Sequence, residues 1–123
     1  IKVDEWHRSN QNNYSQRFSE LSLINQKNVK NLKVAWIYNS NDGIGQIQSN
    51  PIIVEDKIIT PTPGHYVVAI NSKSGEEIWR FKSKSKFPAQ RGLVYWEGNE
   101  KSNPGIFFSD QAGLYKLNVT NLP

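Results

Sequence analysis

This 123-residue sequence predicts an all-β fold assembled from repeated sheet units, and three observations predict it. Short apolar runs alternate with polar residues at the period of two expected of half-buried strands. Clusters of Gly, Pro, Asn, Asp and Ser punctuate those runs at turn-like spacing. The series also repeats: Val67–Asn71, "VVAIN", returns 47 residues later as Leu114–Asn118, "LYKLN". Short strands joined by tight turns, with no helices between them, pair antiparallel.

The elements follow in chain order. Residues 1–32 form a polar lead-in segment whose one helical signal is "INQKNVKNLKVAW". There Asn25 is placed to cap a helix, and Val29 and Leu32 recur at helical spacing, which predicts a turn or two. "KVAWIY" then predicts an outer strand over 33–39 that carries Trp36. Four strand-like runs, "NPIIVE", "KIITPT", "YVVAIN" and "EIWRFK", make one complete antiparallel unit over 50–82, and "GLVYWE", "GIFFS" and "GLYKLN" make three strands of a second over 92–118.

The register of the repeat says what the unit is. Ile52–Val54 returns 41 residues later as Leu93–Tyr95, and the mismatch with the later offset is absorbed by one loop, "EDK" in the first copy and "EGNEKSNPG" in the second. Trp36 precedes Trp79 by 43 residues. A period in the forties made of four short strands is the signature of a propeller blade. A blade buries its faces only against other blades. Trp79, four residues beyond Gly75, therefore reads as a dock onto the neighbouring blade, with Gly75 taking the positive φ that its turn needs. The predicted fold is thus a partial β-propeller over 1–123: one complete four-stranded blade, parts of two neighbours, and a short N-terminal helical turn. The second blade lacks its outer strand. The chain is therefore expected to be a piece of a longer polypeptide or to be completed by another chain, the alternative being self-association through its open sheet edges.

Composition removes several classes of function. With no cysteine there is neither a disulfide framework nor a thiolate metal site. The net charge of +4 is concentrated in "RFKSKSKFPAQR", which reads as a solvated loop because no nucleic-acid module surrounds it. No apolar run is long enough to form a membrane-spanning helix, and "IKVDEWHRSN" lacks the pattern of a secretion signal. His7 and His65 are too isolated for a metal site. Glu55, Asp56, Glu76 and Glu77 flank tight turns and read as solvated. No catalytic or metal-ligating residue is assigned within the chain.

Taken together, these residues resemble the pyrroloquinoline quinone (PQQ) dependent alcohol and sugar dehydrogenases. "RFSELSLINQKNVKNLKVAW" is similar to the segment that leads into the family's propeller, "NPIIVEDKIITPTPGHYVVAINSKSGEEIWRF" to its first blade, and "RGLVYWEGN" with "GIFFSDQAGLYKLN" to the start of its second. The docking motif A-x-[DN]-x-x-[ST]-G-x-x-x-W is met in full by Ala69, Asn71, Ser74, Gly75 and Trp79; the second copy keeps Leu117 and Asn118 but has Lys116 where Ala is usual.

The resemblance implies an amino-terminal portion of a periplasmic oxidoreductase that uses PQQ and calcium and acts on an alcohol, sugar or polyol. It implies two cofactor-binding positions. Gln48 stands where a quinone-contacting Glu is frequent, keeping hydrogen-bonding capacity without the charge. Arg91, in "QRGLVYW", matches an arginine that reaches the cofactor oxygens, and its guanidinium fork suits a carboxylate or an ortho-quinone. Some members carry a vicinal cysteine pair just ahead of that arginine; here Ser85 and Lys86 lie in that neighbourhood. The calcium ligands and catalytic base of the family come from later blades, so this chain alone is expected neither to bind PQQ tightly nor to turn over substrate. The alternative is a non-catalytic scaffold of PQQ-like repeats that holds a protein partner on its rim.

Overall fold

The computed structural model describes residues 5–85 and 92–119. Among these residues seven strands form two antiparallel sheets, in agreement with the predicted partial propeller. The first sheet holds β1 (Ile52–Val54), β2 (Lys57–Pro61), β3 (Tyr66–Asn71) and β4 (Glu77–Lys82) in the order β1-β2-β3-β4; the second holds β5 (Val94–Trp96), β6 (Gly105–Asp110) and β7 (Gly113–Leu117) in the order β5-β6-β7. Each is an up-and-down meander, as tight turns require. The one helical element among the described residues is a 3₁₀ turn, Val29–Asn31. The Asn25 side chain accepts the Lys27 amide at 3.0 Å, a cap-like bond, but Val29 and Leu32 remain exposed, so no apolar face anchors a longer helix.

The core lies between the two sheets. Ile52, Val54, Ile59, Val67, Ala69 and Trp79 on one face of the first sheet meet Leu93, Ile106, Phe108, Leu117 and Val119 from the second. Phe81 continues the layer outward, edge-on to Phe108 and Tyr115, which stack on each other with centroids 4.8 Å apart. Alternation of side chains along each strand sends these residues to one face, while Val68 and Ile70 of β3 are buried on the opposite face.

The turn that opened the repeat is built as its residue types require. Asn71 Oδ1 accepts the amides of Lys73 and Ser74 at 2.9 and 3.1 Å, closing the chain back on itself. Gly75 sits at φ +75°, and an added Cβ there would meet the Trp36 ring at 2.7 Å. Glycine is therefore needed for close approach as well as for conformation. Beyond the turn a bulge leaves Ile78 without a cross-strand partner, since Ala69 pairs with Trp79 and Ile70 with Glu77. Ile78 is turned outward while Trp79 is buried.

The segment 33–39 departs from its expectation as an outer strand. It pairs with no strand among the described residues. Alternate residues Trp36, Tyr38, Ser40 and Asp42 are nevertheless partly buried while 35, 37, 39 and 41 are exposed. A fourth strand needs a third beside it to share hydrogen bonds. Here the segment instead lies against the first sheet through its side chains, with Trp36 Nε1 donating to the Ser72 carbonyl at 3.1 Å.

Candidate functional site

Two inner strands begin at the same place. Residues 48–50 lead into β1 and Gly92 leads into β5, and at Gly92, where φ is +99°, a Cβ would lie 3.6 Å from the Asn50 carbonyl and 3.9 Å from Ser49 Cβ. The structure thereby brings together the chain segments next to both sequence-predicted cofactor residues. Gln48 is exposed at the rim of this junction. Arg91 lies outside the described residues, as does Lys86. Asn50 Nδ2 donates to Ser9 Oγ at 2.8 Å, so the lead-in segment forms a third wall. A cleft of about 570 Å³ opens beside Asn50, lined by Trp6, Ser9, Asn10, Arg17 and Ile53 among others. Its size is that of a small-molecule site.

Ser49 is the unexpected member. Its Oγ is buried and finds no hydrogen-bond partner among the described residues. An unsatisfied buried hydroxyl costs about 1–3 kcal/mol, and native structures carry few of them. The sequence gives no sign of this, because Ser49 follows no motif.

The N-terminal residues supply a second feature that sequence reasoning missed. Trp6 and Ile53 exchange backbone hydrogen bonds of 2.9 and 2.8 Å, and the Tyr95 amide donates to the His7 carbonyl at 2.8 Å. One strap thus closes the inner edges of both sheets, and no apolar alternation in "EWHR" announces it, since the residues it buries are the polar Glu5 and His7. His7 is not isolated: its Nε2 lies 2.7 Å from Glu5 Oε2, both side chains are nearly buried, and Glu97 stands 3.8 Å from Nδ1. Tyr95 packs edge-on against the His7 ring. Its hydroxyl is held above the usual phenol range by burial and then by Glu55, Glu97 and Glu5. Among the described residues, no group of three His, Asp or Glu could hold a metal ion.

Some charges read as solvated also make structural bonds, Glu55 and Asp56 while staying exposed. Lys57, nearly buried, pairs with Glu55 and Asp56 at 3.0 Å each. Arg80 leaves the basic strip to bond Glu77 at 2.8 Å and the Ser40 carbonyl at 3.1 Å, and it also meets Asp42 at 3.4 Å and Tyr38. Burial, followed by the bond and charge of Glu77, pushes the Tyr38 hydroxyl up to about 12. Burial opposes ionisation of Asp42, but bonds from Thr62, Ser40 and the Gly64 amide, with the charge of Arg80, hold its carboxyl below the usual range. His65 is a turn residue as expected, at φ +69°. Ser85 donates its amide to Asp110 at 3.1 Å, a structural role.

A four-stranded meander docked by an indole on a three-stranded neighbour is the repeating arrangement of propeller blades. The profile of the PQQ glucose/ethanol/alcohol dehydrogenase β-propeller domain matches residues 6–121, and the chain belongs to that family. It is 34% identical over 120 residues to the quinoprotein glucose dehydrogenase of Escherichia coli K12, covering 86% of this chain and 15% of that protein. It is 31% identical over 104 residues to methanol dehydrogenase [cytochrome c] subunit 1 of Paracoccus denitrificans, covering 76% and 16%. Over 96 residues it is 33% identical to quinoprotein glucose dehydrogenase A of Acinetobacter calcoaceticus, covering 68% and 12%. The chain thus spans about a sixth or less of the length of these relatives. No helix among the described residues is long and apolar enough to cross a membrane.

Proposed function

We propose that this chain is the amino-terminal part of a PQQ-dependent dehydrogenase acting on an alcohol, sugar or polyol, and that it contributes one wall of the quinone pocket. The observation that carries the reading is the convergence of residues 48–50 with Gly92 at the starts of β1 and β5. The junction suits a polar guest: a cleft opens beside it at Asn50, Gln48 presents an exposed amide, and the buried Ser49 hydroxyl has no partner among the described residues. Gln48 and Arg91 would hold the cofactor, the first by amide hydrogen bonds and the second by its cationic fork. PQQ supplies the two-electron acceptor when bound. The side chains of this chain bind and orient it; calcium and the general base belong to blades beyond residues 1–123.

The domain divisions follow from the same reading: a lead-in over 1–32, an outer segment over 33–39, a first blade over 50–82 and an incomplete second over 92–118. The partners are the remaining blades or a complementary chain. Support comes from the far face of the second blade, where Val94 and Leu114 stand exposed, and from β7, which has one sheet neighbour among the described residues. The periplasm is the proposed location. The test is to titrate the full-length protein with PQQ and calcium and follow an artificial electron acceptor. Oxidation of an alcohol or sugar is expected, whereas absence of turnover with every member of both classes rejects the reading.

A further inference from the structure

We infer that Ser49 is a cofactor-binding residue whose hydroxyl donates to an acceptor oxygen of the bound quinone; the inference rests on the reading above and adds a residue to it. Ser49 Oγ is shielded from solvent and has no partner among the described residues. Its surroundings leave few other ways to satisfy it. The neighbouring Asn50 side chain is already engaged with Ser9. Across the junction stands Gly92, 3.9 Å from Ser49 Cβ by its virtual Cβ, which offers no side chain of its own. Ser49 is also bracketed in sequence by the exposed Gln48 and by Asn50, which lines the neighbouring cleft.

The chemistry required of the partner is specific. A serine hydroxyl donates one hydrogen bond, and donation is strongest to an anionic or strongly polarised oxygen. The carboxylates and ortho-carbonyls of a PQQ-like acid provide such oxygens. A buried hydroxyl that meets its acceptor only when the ligand arrives gains affinity without cost to the ligand-free fold beyond what it already bears.

The test uses the full-length protein without cofactor, titrated with PQQ while tryptophan fluorescence is followed, and melted in parallel. Ser49→Ala is expected to weaken PQQ binding by about tenfold to a hundredfold while leaving the melting temperature of the ligand-free protein unchanged or slightly raised. Ser49→Thr, which keeps the hydroxyl, is expected to bind within a few-fold of wild type. Equal PQQ affinity in wild type and Ser49→Ala overturns the role of Ser49 alone. A Ser49→Ala protein that melts markedly lower without ligand, or fails to fold while Ser49→Thr folds, overturns it too, since the hydroxyl then serves the fold. If wild type binds no PQQ, the parent reading falls first and this one with it, so the two failures are distinguishable.

Discussion

Two seams in this molecule are fastened alike and filled differently. At the first, the extended segment around Trp36 lies on the first blade; at the second, the first blade lies on the second. Each has an indole at one end donating to a backbone carbonyl, Trp36 to Ser72 at 3.1 Å and Trp79 to Val119 at 3.2 Å. Each has an aspartate at the other end, with its polarity reversed. Asp42, on the incoming segment, accepts from Thr62 and the Gly64 amide of the blade it joins. Asp110, on the receiving blade, accepts from Ser83 and the Ser85 amide of the blade that arrives. Between the fastenings, the first seam sets an ionic cluster of Arg80, Glu77 and Tyr38 beside the buried Val68 and Ile70, while the second is an aliphatic and aromatic core without such a cluster. An indole dock and a carboxylate latch recur at both seams, and the filling between them differs.

That contrast can be broken most severely at Trp79. Trp79→Ala in the intact protein removes a buried indole from the second seam and is expected to cost about 3–5 kcal/mol, read by chemical denaturation. A loss below 1 kcal/mol would mean the two blades do not depend on this dock. Gly75→Ala comes next. Its Cβ would fall 2.7 Å from the Trp36 ring at a φ of +75°, and a loss of about 1–3 kcal/mol is expected, with red-shifted indole emission as Trp36 is pushed into water. Unchanged emission and stability would show that Trp36 is not seated on this turn.

Acid sharpens the comparison at the latches. Burial works against the Asp110 charge, yet bonds from Ser83, the Ser85 and Ala112 amides and Tyr115 outweigh it and hold its pKa at about 2. A carboxyl whose folded pKa lies below its unfolded value of about 3.9 stabilises the fold fully above that value and loses the contribution as pH falls through the folded one. Stability of the second seam is therefore expected to fade between about pH 4 and pH 2. Asp110→Asn should flatten that part of the stability profile; an unchanged acid slope would exclude Asp110 as its source. The smallest effect is at Arg80. Its side chain and that of Glu77 are each 29% exposed, so Arg80→Gln is expected to cost about 0.2–1 kcal/mol and to cost less in high salt. The Trp79→Ala loss should not shrink with salt. Equal salt dependence at the two positions would remove the distinction between a partly ionic and an apolar seam.

Most of the blade was legible from residue types. The two-residue period of "YVVAIN" and "EIWRFK" set strands β3 and β4, and Asn71, Ser74 and Gly75 encode their turn through bonds made within a few residues. Part of the site was not legible. Gln48 and Arg91 were suggested by resemblance alone, and the approach of Gly92 to Asn50 is visible only once two blades are stacked. Arg80 and Glu77 read as solvated because nothing near them in the chain announces Tyr38 or Asp42, which arrive from about forty residues away.

The sequence by itself determined the strands, their turns, the repeat and the indole docks, because alternation and turn chemistry are short-range properties that recur wherever the residues recur. The tertiary structure alone decided that residues 5–8 strap two inner edges, that 33–39 lies on a sheet through its side chains, and that the Ser49 hydroxyl is buried with no partner among the described residues. Those outcomes depend on which distant surfaces meet. Packing settles that through the sum of many weak contacts, and no local pattern records the sum.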